Sequence, residues 1–256
     1  MRKTFITLVL AFSAAVCSAQ ISSSFGSDFF SFGNRHIGVE GGFSGWLSSD
    51  ECHLRESSSG AYANYRTTNV SRSAINPTFG LVFRSLIEGS SVSWGTTMGV
   101  GLTMHSGTVE GVNKTNSNAT FVNNYSYKAI TFYDRFYVMV PVGEMISINA
   151  GLGSSIIFNA LPESKVTYSD GTDPITIKES DMLSMMSAFI DVMAGVDYKV
   201  VDKITLSCNF TAHLFNIFGL FNDPDVKGMR NLTNGLYVSE KLPYSLTLGI
   251  TYSIDE

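Results

Sequence analysis

Hydrophobic and polar residues alternate with a period of two along most of the chain after residue 34. Between Val92 and His105, six of the seven residues on one face are apolar, and all seven on the other face are small or polar. The segment from Tyr244 to Ile254 shows the same pattern, with Ser, Thr and Gly opposite the apolar face. Because successive side chains of a strand point to opposite faces, this period predicts β-strands and not amphipathic helices.

Eight segments of the chain show this alternation. They cover residues 35–47, 74–87, 92–105, 126–142, 145–159, 186–200, 203–215 and 243–254. The connections between them alternate between turns of two or three residues and long polar loops. Barrels of the outer membrane have this layout, with tight turns on the periplasmic side and long loops outside. The pattern therefore predicts an all-β fold, an eight-stranded antiparallel up-and-down transmembrane β-barrel. Ten strands are the alternative, if residues 20–34 or the last long loop add a pair.

The small residues opposite the apolar faces indicate which face points inward. Gly and Ser are weak strand formers on a solvated surface, but they suit the narrow interior of an eight-stranded barrel. Bulky side chains from neighbouring segments would pack against them. These are Tyr133, Tyr137, Met139, Phe189 and Met193. The rival fold is a soluble exported β-sandwich, in which protein would shield Leu102, Val192 and Leu248.

Several charged residues fall on the inward face when the alternation is extended. They are Glu40, Arg84, Arg135, Asp191 and Asp197. Opposite charges at one depth would meet, which predicts a buried salt-bridge network that plugs the barrel. The functional alternative is a polar path or a gate. Asp134 instead falls on the lipid-facing side, which predicts either a position above the membrane rim or a β-bulge there.

The N-terminus has the features of a secretory signal peptide over residues 1–19. Arg2 and Lys3 precede an apolar run that is too short to span a membrane, and Cys17-Ser18-Ala19 forms a small-residue cleavage site. We therefore expect export and cleavage before Gln20. Residues 20–34 would form a periplasmic N-terminal segment and residues 35–256 the barrel domain.

Composition narrows the class of protein further. Only 15% of the residues are charged, 12% are aromatic and the formal net charge is −5. This argues against a disordered chain and against a nucleic-acid-binding protein. The expected partners are outer-membrane lipid and the barrel-assembly machinery during insertion, while the surface ligand is not identified by the sequence. We expect no disulfide, because Cys52 falls in a loop and Cys208 in the middle of a strand.

No spaced motif indicates a cofactor, a metal site or a catalytic nucleophile, so we expect a protein that is not an enzyme. The rival hypothesis is a lipid-modifying enzyme of the outer membrane. It predicts that His105 or His213 converges with a serine and an acid at one depth.

The last long loop begins with a cluster of apolar residues. They are Phe215, Ile217, Phe218, Leu220 and Phe221. This cluster predicts either an outer binding surface or a continuation of the strand that packs over the barrel mouth. The sequence thus favours a structural or surface-binding role for a plugged barrel. A passive conduit for small or apolar solutes is the first alternative.

The chain resembles the small outer-membrane β-barrel proteins of Gram-negative bacteria. It is similar in layout to the OmpA-like and OmpW-like barrels and to the PorT-like barrel families of Bacteroidetes. The resemblance rests on Cys17-Ser18-Ala19 with Gln20 following, on the Val138–Gly153 hairpin and on the terminal strand Tyr244–Tyr252. It is a resemblance of pattern, so it implies the fold and location but no functional residue. Many such barrels end on an aromatic residue, whereas here Asp255-Glu256 follow Ile254.

Overall fold

A computed structural model describes residues 33–47, 52–54, 64–73, 75–89, 91–178, 186–217, 229–233, 236–239 and 243–255. The proposed signal peptide and nearly all of the N-terminal segment lie outside these residues. The strands, in chain order, are β1 (Asn34–Trp46), β2 (Cys52–Leu54), β3 (Tyr65–Arg72), β4 (Asn76–Ile87), β5 (Ser93–Asn113), β6 (Thr120–Pro141), β7 (Ile146–Tyr168), β8 (Ile175–Lys178), β9 (Met186–Val201), β10 (Ile204–Asn216), β11 (Met229–Thr233), β12 (Leu236–Ser239) and β13 (Pro243–Ser253). Within this described part, no helix is long and apolar enough to cross a membrane.

Eight strands close into a ring in the order β1, β13, β10, β9, β7, β6, β5, β4 and back to β1. Every pairing in the ring is antiparallel, and the strands that carry the predicted alternation form it. The ring closes because β1 pairs on both sides: Ile37 lies opposite Phe83 of β4 and Tyr252 of β13. The predicted eight-stranded antiparallel barrel is confirmed.

The apolar faces of the ring point outward. Leu248, Leu152 and Phe79 are 66%, 63% and 61% exposed, whereas the inward-facing Thr211 and Thr251 are buried. A sandwich would shield Leu248 with protein, so the rival soluble fold is wrong. An outer surface of this kind is stable in contact with lipid chains and not with water.

Glycines of β5 lie beneath aromatic side chains of β6. A Cβ at Gly95 would lie 2.3 Å from the ring of Tyr137, and one at Gly99 would lie 2.2 Å from the ring of Tyr133. Gly107 and Gly111 are covered in the same way by Tyr125 and Phe121. Large residues on β6 thus pack into the space left by glycines on β5, which fills the barrel at Gly95 and Gly99 and fixes the register of the two strands over their whole length.

Three strands continue beyond the ring at the end that carries the long connections, called here the long-loop end. β4 pairs with β5 only as far as Thr103, yet the β5–β6 pairing continues to Val112. β3 pairs with the far part of β5, and β8 with the far part of β7. The result is a five-stranded sheet, β3–β5–β6–β7–β8, which we call the projecting sheet.

One face of the projecting sheet carries a hydrophobic cluster. Val109, Phe121 and Val166 are fully buried, and the ring of Tyr65 packs edge-on against Phe121 at 5.3 Å. The prediction of polar loops is therefore wrong over most of 106–125 and over residues 160–168 and 175–178 of the segment 160–185, whose residues 179–185 lie outside the described part of the chain. The abundant Asn, Ser and Thr there conceal an alternation that continues through Val109 and Phe121.

A second sheet of three strands has the order β11–β12–β2. Strand β2 contacts β3, and β11 contacts β7, so this sheet also lies at the long-loop end. The last long connection does add two strands, β11 and β12, but they join this separate sheet and the ring keeps eight strands.

Asp134 lies on the outer face of β6, between Phe132 and Phe136, which are 50% and 46% exposed. The register of β6 is unshifted there, with Met98 and Ser154 opposite Asp134. The bulge explanation is therefore wrong, whereas a position above the membrane rim stays a prediction. Its side chain is half-buried, which reduces the charged area turned outward.

The C-terminal residues close the seam between the first and last strands. Asp255 Oδ1 accepts hydrogen bonds from Arg35 Nε at 2.9 Å and Nη2 at 2.7 Å, and the Ile254 amide donates to the Arg35 carbonyl at 2.9 Å. These hydrogen bonds from Arg35 lower the pKa of Asp255. The contact therefore stabilises the fold above the ordinary carboxyl range, and its contribution is lost as the pH falls through the lowered pKa. Asp255 thus has a structural role, because it links the residue after β13 to the start of β1.

Candidate functional site

The interior is blocked near the short turns by a group we call the interior seal: Arg84, Asp197, Tyr137, Leu86 and Met193. Arg84 Nη2 lies 2.6 Å from Asp197 Oδ2 and Nη1 lies 3.2 Å from Oδ1, while Arg84 Nε donates to the Tyr137 hydroxyl at 2.9 Å. The two charged side chains are only 6% and 5% exposed. Leu86 and Met193 pack against Tyr137. A buried bidentate ion pair surrounded by bulky side chains thus occupies the interior at this depth.

Tyr133 joins the next two predicted charges in the middle of the barrel. Its hydroxyl donates to Glu40 Oε1 at 2.7 Å, and the Arg135 Cζ lies 4.0 Å from its ring centroid. The Nε of Arg135 is buried without a hydrogen-bond partner. Glu40 and Arg135 line a cavity of about 10 Å³ towards the seal and another of about 60 Å³ towards the long-loop end.

Asp191 makes a third contact group. Its Oδ1 lies 2.6 Å from His213 Nδ1, and the Ser155 hydroxyl lies 3.0 Å from Asp191 Oδ1 and 3.1 Å from His213 Nδ1. All three side chains are buried. The strand register explains the meeting, because Gly153 of β7 and His213 of β10 lie directly opposite Asp191, and Ser155 is the next inward-facing residue of β7.

The five predicted interior charges thus point inward but do not form one network. Arg84 pairs with Asp197, as opposite charges at one depth should. Glu40 and Arg135 both contact Tyr133 instead, and Asp191 contacts His213 and Ser155. Strand parity predicts that a side chain points inward, but it does not identify the hydroxyl or imidazole that receives it.

The convergence of His213 with a serine and an acid matches the geometry that the rival enzyme hypothesis predicts. The arrangement differs from a catalytic triad in one respect: Ser155 and Asp191 both approach the same ring nitrogen, Nδ1. A general base must use one nitrogen for the acid and the other for the nucleophile. The three side chains link β7, β9 and β10.

The larger cavity has two chemically different walls. One is rich in hydroxyl groups from β1, β4, β5 and β13, and the other is formed by Tyr127, Tyr133, Ile157, Phe189 and His213. At its upper end, the ring of His105 lies 5.1 Å from that of Trp46 and 4.7 Å from that of Tyr127. The described residues contain no group of three or more His, Cys, Asp or Glu side chains that would hold a metal ion.

The apolar cluster predicted as an outer binding surface lies mostly outside the described residues. Phe218, Leu220 and Phe221 are not described, and Phe215 is described only as part of the backbone of β10. Ile217 follows β10, is half-buried, and its amide donates to the Ala188 carbonyl at 2.7 Å. The binding surface therefore stays a prediction.

The chain is an eight-stranded antiparallel β-barrel with an apolar exterior and a filled polar interior. No family model matches the sequence, and no curated protein matches it. Solved structures with the same kind of fold include Ail, the attachment invasion locus protein of Yersinia pestis, at 11% identity and a TM-score of 0.36 over 86% of this chain and 99% of that one. Neisserial surface protein A has 10% identity and a TM-score of 0.33 over 86% and 97%. The outer membrane protease OmpT from Escherichia coli has 11% identity and a TM-score of 0.39 over 86% and 97%.

Proposed function

We propose that this chain is an outer-membrane barrel that does not conduct solutes and that acts at the cell surface through its long-loop end. The observation that supports the proposal most strongly is the interior seal, in which the Arg84–Asp197 ion pair and Tyr137 close the lumen. A conduit would need a continuous path, whereas the two interior cavities of about 60 and 10 Å³ are separated by Glu40, Tyr133 and Arg135.

The orientation follows from the lengths of the connections. The turns 88–92, 142–145 and 202–203 are short, and barrels of this class place such turns in the periplasm. The opposite end carries the projecting sheet and the three-stranded sheet, which would therefore stand outside the cell. We also propose that residues 1–19 direct secretion, that lipid surrounds the barrel and that the barrel-assembly machinery inserts it.

The projecting sheet supports a surface-binding role over a purely structural one. It raises strands β5, β6 and β7 beyond the ring and stabilises them with their own hydrophobic cluster. A barrel that served only to fill the membrane would not need a packed sheet beyond the apolar band. The Asp191–His213–Ser155 geometry argues against the lipid-modifying alternative.

The first test of this proposal is electrical. We expect the purified protein to give no discrete conductance steps in a planar lipid bilayer, because the seal leaves no aqueous path. Insertion is verified in the same membranes by protease protection. Regular unitary steps from inserted, folded protein would contradict the proposal and favour a conduit.

A second test concerns the lipid-facing surface. Cys208 is an exposed free thiol on the outer face of β10, between Val196 and Leu248. In a Cys17→Ser/Cys52→Ser background, we expect a water-soluble maleimide to label Cys208 only after unfolding, because lipid covers it in the bilayer.

The control for this labelling is Asp202→Cys in a background that also carries Cys208→Ser. Asp202 lies in a short turn and its side chain is 97% exposed, so the new thiol should react rapidly in the folded protein. Equal labelling rates at positions 202 and 208 in bilayers would show that water reaches the outer face of β10, contrary to the proposal.

A further inference from the structure

We propose that the larger interior cavity binds a small zwitterion, a molecule that carries one carboxylate and one ammonium group, such as a short α-amino acid. The inference goes beyond the proposed surface function, because it concerns the barrel interior and not the projecting sheet. It rests on the charges that line the cavity, on the chemistry of its walls and on its size.

Two oppositely charged side chains line the cavity. Among the interior groups described, Arg84 is paired with Asp197, and Asp191 is bonded to His213. Glu40 and Arg135 remain. The Glu40 carboxylate accepts a hydrogen bond from Tyr133, and the Arg135 guanidinium lies over the Tyr133 ring. Arg135 is 6% exposed, and its Nε is buried without a partner. The cavity therefore presents one cation and one anion that are both available to a ligand.

Charge complementarity then selects the class of ligand. A carboxylate is recognised best by a guanidinium, because the planar donor groups match its two oxygens. An ammonium group is recognised by a carboxylate such as that of Glu40. An anion alone would face Glu40, a cation alone would face Arg135, and an apolar ligand would leave both charges desolvated. Only a ligand with both charges satisfies both groups.

The walls and the volume limit the rest of the ligand. The hydroxyl groups of Ser44 and Thr78 offer further donors on one side, and Phe189 offers an apolar surface on the other. The volume of 60 Å³, at roughly 10–15 Å³ for each water-sized occupant, gives space for about four to six non-hydrogen atoms. Glycine and alanine have this size, whereas a peptide or a disaccharide is too large.

Entry would occur from the long-loop end. Trp46, His105 and Tyr127 line the upper part of the cavity, where the ring of His105 stacks on Tyr127 and is tilted against Trp46. The interior seal lies on the other side of Arg135, so a ligand would bind and leave on the same side. The site would thus bind the ligand but would not conduct it across the membrane.

The test is calorimetric titration of the full-length protein in detergent micelles with four probes: glycine, L-alanine, acetate and methylammonium. We expect at least one of the two amino acids to bind at least tenfold more tightly than acetate and methylammonium. This comparison uses the unaltered protein, so it does not depend on the folding of a variant. Acetate or methylammonium binding as tightly as the amino acids, or no heat with any probe, would overturn the proposal.

Variants of residues that line the cavity test whether the amino acid binds there. Arg135→Gln and Glu40→Gln should each weaken amino-acid binding at least tenfold, and Gly101→Leu should abolish it by filling the cavity. Glu88→Gln is the matched control, because Glu88 is an exposed glutamate that hydrogen-bonds Asn34 beyond the end of β4, and it should bind as the unaltered protein does. Heat-modifiable gel mobility verifies that each variant is folded. Unchanged binding in folded Arg135→Gln, Glu40→Gln and Gly101→Leu would place the site elsewhere and contradict the inference.

Discussion

Replacement of Asp197 by alanine is expected to lower the free energy of unfolding by about 3–5 kcal/mol, because it leaves the Arg84 guanidinium buried without its counter-ion. The two side chains are 6% and 5% exposed, and their shortest contact is 2.6 Å. Water does not screen a pair at this depth, so the loss should be close to the upper end of what single substitutions cost. Urea unfolding of the detergent-solubilised barrel, followed by gel mobility, measures the change.

Two controls separate this effect from a general loss of charge. Asp202→Ala removes the partner of Lys199 in a pair that is 50% and 97% exposed, and it should cost less than about 1 kcal/mol because exposed pairs contribute little. The double variant Arg84→Met/Asp197→Leu removes both buried charges and should recover most of the loss. A cost for Asp197→Ala no larger than that of Asp202→Ala would contradict the account of the seal.

Replacement of Gly99 by alanine is expected to destabilise the barrel by about 1–3 kcal/mol, because the new methyl group overpacks the interior. Its Cβ would lie 2.2 Å from the Cζ and the hydroxyl oxygen of Tyr133. Tyr133 cannot move away without losing its hydrogen bond to Glu40 and its contact with Arg135. The same urea titration measures this change.

The matched control is Gly101→Ala, two residues along the same strand and on the same inward face. There the nearest atoms to a new Cβ are 3.8 and 3.9 Å away, an ordinary contact distance, so the substitution should be nearly neutral. The double variant Gly99→Ala/Tyr133→Ala should cost less than the sum of its two single changes, because the clash disappears with the ring. Equal costs at positions 99 and 101 would contradict the proposed packing of glycine beneath tyrosine.

Strand periodicity predicts the ring, because side chains alternate between two faces of each strand. Once the apolar face is assigned to lipid, the other face must point into the barrel. The inward positions of Arg84 and Asp197 followed from the same rule. The projecting sheet was not predicted, since the Asn, Ser and Thr residues around Val109 and Phe121 have the composition of an exposed loop. Buried aromatic residues at alternate positions, with Gly111 opposite Phe121, were the available signal.

The contacts within the interior depend on a quantity that local sequence does not contain. The stagger of strands around a closed barrel decides which depths face each other across the lumen. Glu40 of β1 therefore meets the hydroxyl of Tyr133 on β6, a residue that the sequence predicts only as a packing residue. The cavity, with its hydroxyl-rich wall facing a largely aromatic one, forms only when the ring is closed.

We propose that this chain forms a closed barrel inserted in the outer membrane, and its gel mobility before and after boiling tests this directly. The unboiled protein from the outer-membrane fraction should migrate faster than the boiled protein, because a closed barrel resists the detergent until it is heated. Identical mobility in both samples, with the protein recovered in the soluble fraction, would contradict the claim.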